Sequence, residues 1–294
     1  MATNILKSFT PRSDTINAYS LLSPSLFLLI FVLAFPILFL VAYSFWTQDY
    51  VTIIKTFTLE NYETVIEKKS YHILIKRSLV IASLTTFITV VLAYPMAYFV
   101  SFVVRGNKLL WLIILTIPFW TSYLLRVFAW KLILGYNGVI NGSLTNFGII
   151  AEPLAFLLYN PTAVFITLAH AWAAFAILPI YVSLEKIDRS LLEASSDLGD
   201  SAFTRFWRIT FPLSFPGVLA SSLIIFIPTV GDFITPKLVG GSEGIMVANL
   251  IQVMFGKANN WPLGSSLAMV TMTIVIIVVI FYVVFSRFIV SRIK

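Results

Sequence analysis

Residues 22–45 read LSPSLFLLIFVLAFPILFLVAYSF and contain no charged side chain. A helix of this length spans the roughly 30 Å hydrocarbon core of a bilayer, because each residue adds about 1.5 Å. The whole chain has the same character, since 59% of its 294 residues are hydrophobic and 11% are charged. Soluble domains carry about 25% charged residues, so the composition excludes a soluble globular protein and predicts an all-α, polytopic membrane protein.

Five further apolar runs have a similar length, and together the six predict about six transmembrane helices. The predicted spans are Leu22–Phe45, Ser78–Val103, Leu109–Ile133, Thr162–Leu184, Gly217–Pro236 and Ser265–Phe288. No internal repeat and no Gly/Ser-rich linker divides them. We therefore predict a single transmembrane domain over 22–288, preceded by an N-terminal segment 1–21 and followed by a basic tail 289–294.

The distribution of basic residues predicts the orientation of these spans. The two termini together with 104–108 and 185–216 contain eleven Lys and Arg residues when Arg287, at the end of the last span, is counted with the C-terminus, against nine in the rest of the chain. By the positive-inside rule, both termini are expected to be cytoplasmic. The basic residues are spread singly between apolar runs, so the net charge of +7 does not indicate nucleic-acid binding.

Residue types needed for several kinds of chemistry are missing. The chain has no Cys and only two His, and no Gly-Lys-Ser or Gly-Lys-Thr triplet closes a phosphate loop. We therefore predict no metal site, no catalytic residue and no bound cofactor.

One long polar segment interrupts the apolar pattern between the fourth and fifth spans. Residues 185–210 read EKIDRSLLEASSDLGDSAFTRFWRIT. Ser190 and Glu193 have the spacing of a capping box and predict a helix that starts at Leu191. Gly199 is expected to end it, Asp200 or Ser201 to cap a second amphipathic helix, and Pro212 to close that helix. Leu191, Leu192 and Leu198 offer apolar anchors with which this segment could bind in a groove.

The spacing within this segment resembles the EAA motif of ABC import permeases, E-A-A-x3-G-x9-I-x-L-P, with Ser195 and Phe211 as the two departures. The resemblance implies a type I permease fold in which the loop 185–213, here called the EAA loop, is cytoplasmic and docks into a cleft of a separate ATPase subunit that binds the ATP. The residues that carry this implied coupling role are Glu193, Ala194, Ser195, Gly199, Ile209 and Pro212.

Further segments are similar to the permease subunits of spermidine/putrescine importers. They are 94–98 (YPMAY), 117–122 (IPFWTS), 126–130 (RVFAW), 184–188 (LEKID), 231–233 (GDF), 236–241 (PKLVGG) and 260–262 (NWP). This resemblance implies a bacterial cytoplasmic (inner) membrane protein that forms half of a polyamine pathway. It also implies a second, different permease subunit, two copies of an ATPase and an external solute-binding protein.

The fifth span contains a carboxylate, Asp232, between Pro228 and Pro236. A charge at this depth must face protein or water, and a helix loosened by proline and glycine is typical of transporter sites. Asp232 is therefore a candidate for contact with a cationic solute, assisted by cation–π contacts from Trp120, Tyr123 and Trp172. Arg126 would repel such a solute. Arg126 can be accommodated in one of two ways: it pairs with Asp232, or it extends to the membrane interface. In either case the role of these residues is structural, and they do not contact the solute.

Three other functions stay open at this stage. The first is an ABC permease for another small organic solute. The second is a stand-alone secondary transporter, which should show inverted repeats and buried coupling carboxylates. The third is an intramembrane enzyme, which would need a nucleophile with a base or a metal cluster.

Overall fold

The computed structural model of the chain describes residues 11–50 and 52–293, with side chains from 18 to 50 and from 52 to 288. The described part is mainly helical. Its α-helices are α1 (Pro11–Ser44), α2 (Glu60–Glu67), α3 (Lys69–Tyr98), α4 (Lys108–Thr116), α5 (Tyr123–Leu134), α6 (Val139–Asn146), α7 (Pro161–Glu185), α8 (Arg189–Asp197), α9 (Ala202–Arg205), α10 (Phe211–Val230), α11 (Ile234–Val239), α12 (Gly241–Gly244), α13 (Val247–Phe255) and α14 (Trp261–Ile293).

Short elements connect or extend these helices. Two strands, β1 (Thr47–Asp49) and β2 (Thr52–Ile54), form an antiparallel hairpin after α1, with Thr47 opposite Ile54. Single-turn elements are the π-helical Phe99–Val103 and Phe206–Thr210 and the 3-10-helical Ile117–Trp120 and Ala155–Leu157. The all-α class predicted from composition is confirmed, since the hairpin is the only sheet among the described residues.

Five described helices are long and apolar enough to cross a membrane: Ala18–Ser44, Lys69–Val103, Pro161–Glu185, Ala202–Val230 and Trp261–Phe288. A sixth span results if a bent pair of helices counts as one. The predicted number of about six spans is therefore confirmed.

The third span is broken, and the prediction of one helix over Leu109–Ile133 is wrong. Its two pieces, Lys108–Trp120 and Tyr123–Asn146, are bent by 84° relative to each other. Pro118 lies in the 3-10 turn before the bend, and Thr121 and Ser122 have extended backbones. A proline removes a backbone donor and crowds the preceding turn, which favours a break at this point.

The fifth span also differs from the prediction of Gly217–Pro236. The helix begins at Ala202 in the EAA loop, passes through the π-helical turn and ends at Val230, where Gly231 forms the C-cap. Asp232 therefore follows the end of the helix, and α11 starts two residues later.

The core lies between α3, α7 and α10, where small side chains allow the backbones to approach. A Cβ atom on Gly217 would come within 2.5 Å of the Pro179 carbonyl oxygen. One turn further on, the Ser221 hydroxyl donates to the Ala176 carbonyl at 2.9 Å. Close packing of small residues with occasional interhelical hydrogen bonds is the usual way that membrane helices associate.

The first and last helices lie at the periphery. The membrane-crossing window of Ala18–Ser44 has none of its residues buried, and α1 packs mainly against α14. Of the predicted N-terminal segment, residues 1–10 lie outside the described part of the chain, and 11–21 belong to α1. The last helix continues to Ile293.

Candidate functional site: the EAA loop and an aromatic site in the membrane region

The first helix of the EAA loop starts earlier than the capping box predicts. Asp188 is the N-cap of α8, and its Oδ1 accepts a hydrogen bond from the Ser190 backbone N–H at 3.0 Å. The helix thus begins at Arg189, and the prediction of Ser190 as N-cap is wrong because a better acceptor lies two residues before it. The same N–H lowers the pKa of the Asp188 carboxyl below its ordinary value, since it stabilises the charged form.

Gly199 ends α8, as predicted. Its φ of +87° is in the left-handed region, and no atom lies within 4 Å of the position that a Cβ would take. Its N–H donates to the Ser196 carbonyl, and the N–H of Asp200 donates to the Ser195 carbonyl, each at 3.0 Å. The requirement for glycine here is therefore conformational and not steric.

Side chains on both sides of this turn hold it together. Ser195 is buried, and its hydroxyl donates to Asp200 Oδ2 at 2.8 Å. Asp200 Oδ1 lies 3.6 Å from an Arg208 guanidinium nitrogen, and Arg205 donates to the Ser196 hydroxyl. Ser195, a departure from the EAA consensus, is thus part of the network that shapes the turn.

Pro212 does not close the second helix of the loop, and that prediction is wrong. Ser201 caps α9 by accepting from the Thr204 N–H at 3.2 Å. After α9, the Phe211 N–H donates to the Phe206 carbonyl, which is a π-helical bond. The wider turn allows the helix to continue through Pro212 into α10, since a π-bulge relieves the clash that a proline makes in an α-helix.

The EAA loop leaves a mixed polar and apolar surface uncovered. Glu193 and Ala194 are exposed, and so are the large apolar side chains Leu191, Leu198, Phe203 and Trp207. Leu192 is half-buried and packs against the α3–α7–α10 core, so it contributes less to this surface than Leu191 and Leu198. Ile209 is half-buried and Pro212 is buried.

A second cluster, here called the aromatic site, consists of Phe119, Tyr123, Arg126, Trp172, Phe175 and Asp232. Tyr123 joins two elements of it. Its hydroxyl donates to Asp232 Oδ2 at 2.5 Å and lies 2.6 Å from the Thr235 hydroxyl. Asp232 Oδ1 accepts from the Ile234 N–H at 2.9 Å, and only 8% of the residue is exposed. The carboxylate therefore caps the start of α11 and binds the tyrosine.

Arg126 makes contacts with rings and a carbonyl. Its guanidinium carbon lies 4.6 Å from the Phe119 ring centroid and 5.8 Å from that of Tyr123. One guanidinium nitrogen donates to the Ala171 carbonyl at 3.2 Å. Within the part of the chain that the structure describes, Arg126 and Asp232 form no ion pair. Of the alternatives open from sequence, direct pairing is thus not observed, and Tyr123 lies against both charges.

Two rings of α7 complete the aromatic site. Trp172 lies 6.3 Å from Tyr123 and 5.6 Å from Phe175, and Phe175 lies 5.6 Å from Phe119, measured between ring centroids. Trp120 is 83% exposed. Of the predicted pathway residues, the fold therefore brings together Tyr123, Arg126, Trp172 and Asp232.

The sequence analysis missed Phe119, Phe175 and Thr235. Phe119 belongs to the quoted segment 117–122, and Phe175 follows Trp172 at a helical spacing of three, so a search for ring pairs one turn apart would have found Phe175. The site lies well inside the membrane region, because Ala171 is about 21 Å along α7 from Glu185, where that helix ends.

The fold and these two clusters define a polytopic membrane transport protein. Comparison of the sequence with known proteins narrows this class to one family. Residues 72–293 match the family described as binding-protein-dependent transport system inner membrane component. The spermidine/putrescine transport system permease protein PotB of Escherichia coli is 36% identical over 241 residues, which cover 82% of this chain and 86% of that protein. PotB of Haemophilus influenzae is 34% identical over 256 residues, covering 86% and 89%.

A solved structure shares the fold at low sequence identity. It is a chain of the bacterial alginate ABC transporter in complex with an alginate pentasaccharide-bound periplasmic protein, with a TM-score of 0.75 and 15% identity over 95% of this chain and 96% of that one. The present chain belongs to the family of binding-protein-dependent transport system inner membrane components. The type I permease fold and the ABC permease function expected from the EAA motif are thereby confirmed.

Proposed function

We propose that this chain forms half of the translocation pathway for a polyamine of the spermidine/putrescine class. The observation that carries the proposal is the 36% identity, over most of both chains, to a permease whose name specifies these solutes. The chemistry of the aromatic site supports it, because the ring faces of Tyr123, Trp172 and Phe175 attract ammonium groups weakly enough to release them.

In this proposal Asp232 orients Tyr123 and gives the site a negative charge. Asp232 is not the sole contact of the solute. Its hydrogen bonds to Tyr123 and to the start of α11 already use both carboxylate oxygens. Trp120, exposed on the single chain, is proposed to face the pathway or the second permease subunit.

The proposed assembly contains a second, different permease subunit, two copies of an ATPase and an external solute-binding protein. The EAA loop is proposed to dock on the ATPase through Glu193 and Ala194 and through the uncovered apolar side chains Leu191, Leu198, Phe203 and Trp207. Apolar anchors surrounded by charges are the usual content of such a contact. The chain itself needs no cofactor, since ATP is bound by the ATPase.

The proposed orientation places both termini and the EAA loop in the cytoplasm. Cysteines introduced singly at Ser201 in the loop and at Ser143 in α6, both exposed, can test it because the chain has no Cys. An impermeant thiol reagent added to intact spheroplasts should label the Ser143→Cys variant and spare Ser201→Cys. Labelling of both from outside would refute the orientation.

The solute is tested by uptake. The complex with its own partners is reconstituted in proteoliposomes, and import of labelled spermidine, labelled putrescine and a neutral amino acid is compared at equal ATP. We expect import of at least one polyamine and none of the amino acid. A second candidate, another small organic solute, is favoured by the guanidinium of Arg126 inside the aromatic site, and selective import of a neutral or anionic solute would establish it instead.

A further inference from the structure

Helix α4 resembles an arm attached at its two ends. None of its residues is buried, although α3, α7 and α10 around it form a close-packed core. It continues through the 3-10 turn Ile117–Trp120, so the arm from Lys108 to Trp120 is about 20 Å long. Between its ends, Leu115 packs half-buried against that core, and Trp111 packs edge-on against the Phe99 ring. Because so little of the arm is buried, its position also depends on what each end binds.

The far end of the arm enters the aromatic site. Phe119 packs edge-on against Phe175 of α7 and lies under the Arg126 guanidinium. Tyr123, which binds Asp232, follows immediately after the bend. A displacement of the arm along its axis would therefore shift the rings and the arginine of this site.

The polar attachment at the near end of the arm is the Lys108 ammonium group. Lys108 Nζ lies 2.6 and 2.8 Å from the two carboxylate oxygens of Glu185 and 2.9 Å from the Ser101 carbonyl oxygen. An ammonium has three donors, and these three oxygens are enough to accept all of them.

The partners of Lys108 belong to the EAA loop and to a π-helical turn. Glu185 is the last residue of α7 and the first of the EAA loop, three residues before the Asp188 cap. Ser101 lies in Phe99–Val103, and Arg189 at the start of α8 reaches the same carbonyl at 3.5 Å. π-helical turns are frequent at functional sites. Lys108 thus joins the EAA loop to the arm directly.

We propose that the Lys108–Glu185 ion pair transmits movement of the EAA loop to the arm, and through it to the aromatic site. The inference rests on the proposed docking of the EAA loop on an ATPase. Lys108 and Glu185 are positioning residues, since they touch neither solute nor ATP in this scheme. When the loop is displaced, the paired charges keep Lys108 with Glu185, and the arm changes the spacing between Phe119, Tyr123 and Arg126.

A double-mutant cycle on the reconstituted complex tests the pair. The variants are Lys108→Met, Glu185→Gln and the double variant, and the readout is solute imported per ATP hydrolysed. Because the pair is partly exposed, its loss should leave assembly of the complex nearly unchanged. We expect each single variant to lower the ratio about fivefold and the double variant to be no worse than either single one. Additive losses would overturn the inference, as would an unchanged ratio.

A thiol reporter distinguishes transmission from a structural role. Thr121 is exposed at the bend. Because the chain has no Cys, the Thr121→Cys variant carries a single thiol, and it lies at this position. Its labelling rate should change between the ATP-free and the vanadate-trapped complex, and Lys108→Met should abolish this change. Persistence of the change in Lys108→Met contradicts the proposal even if transport falls.

Two comparisons complete the design. Arg105→Met removes an exposed charge close to Lys108 but outside the EAA loop, and should leave both readouts at the parental level. A Gly199→Val variant measured in parallel tests docking of the loop itself. If Gly199→Val uncouples transport and the Lys108 and Glu185 variants do not, the further inference fails alone. If Gly199→Val is also without effect, the proposed coupling role of the loop fails.

Discussion

The hydrogen bonds and the ion pair that shape the turn around Gly199, from Ser195 to Arg208, join residues at most nine positions apart, the longest being Arg205 to Ser196. In the aromatic site, the corresponding contacts are 45 positions apart for Arg126 and Ala171, and 109 for Tyr123 and Asp232. The turn around Gly199 is therefore shaped by residues of the loop itself, whereas the aromatic site exists only where α5, α7 and the start of α11 come together.

This difference suits the two proposed roles. A segment held by local caps and a local ion pair moves as one body and keeps its shape when it is displaced. A site assembled from separate helices changes shape when those helices move, which a translocation pathway needs in order to bind a solute on one side and release it on the other.

The largest effect is expected from the residue on which the local geometry of the loop depends. Gly199→Val places a β-branched residue at φ +87°, at a cost of about 1–2 kcal/mol or more, so the turn should rearrange. We expect ATP hydrolysis to continue while import falls to a small fraction of the parental rate. The measurement is import and ATP hydrolysis in the same proteoliposomes.

Gly106→Val is the matched control. Gly106 is also in a loop with nothing within 4 Å of an added Cβ, but no left-handed φ is required there. The complex that contains Gly106→Val should import solute at nearly the parental rate. Equal import by the two variants would mean that the left-handed turn is irrelevant to coupling.

A smaller effect is expected in the aromatic site, on stability. Tyr123→Phe removes a hydrogen bond to a charged acceptor, and Asp232→Asn removes the charge, so each should destabilise the fold by about 1–2 kcal/mol. The double variant should be less unstable than the sum of the two, because the second change removes an interaction already lost. Denaturant unfolding in detergent, followed by tryptophan fluorescence, measures all three.

Arg126→Gln in the Asp232→Asn background separates this arrangement from a direct ion pair. With no ion pair between the two residues, the added substitution should not restore stability. Recovery of the parental denaturation midpoint would show that Arg126 was the partner of Asp232, and the role assigned to Tyr123 would then be wrong.

The smallest effect concerns pH and the cap of α8. Because the Ser190 N–H lowers the pKa of Asp188 in the folded chain, the stabilisation is present above the unfolded pKa of about 4 and is lost as the pH falls through the lowered value. Asp188→Asn keeps an acceptor that does not titrate. The protection of the α8 amides, which is the intrinsic exchange rate at each pH divided by the observed rate, should therefore fall below pH 4 in the parental chain and not in Asp188→Asn. The same loss of protection in both would exclude the cap as its cause.

Features of the loop were predictable from sequence where the interaction is local. Gly199 as the end of α8 and Ser201 as a cap follow from residue type and spacing. Two predictions for the loop were wrong. The cap of α8 was assigned to Ser190, but Asp188, two residues earlier, is the better acceptor. The helix was expected to end at Pro212, but a π-helical turn carries it onward, and Phe206 and Phe211 of this region pack against Tyr94 of α3, a contact that no local pattern contains.

The number of spans, the membrane environment and the family were predictable from the chain alone, because they follow from the length of apolar runs and from residues at fixed spacing. Three features required the folded structure: the 84° bend of the third span after Trp120, the binding of Asp232 to Tyr123 and not to Arg126, and the Lys108–Glu185 ion pair. A hydropathy window averages over a break, and contacts between helices far apart in the chain depend on packing that has no trace in local periodicity.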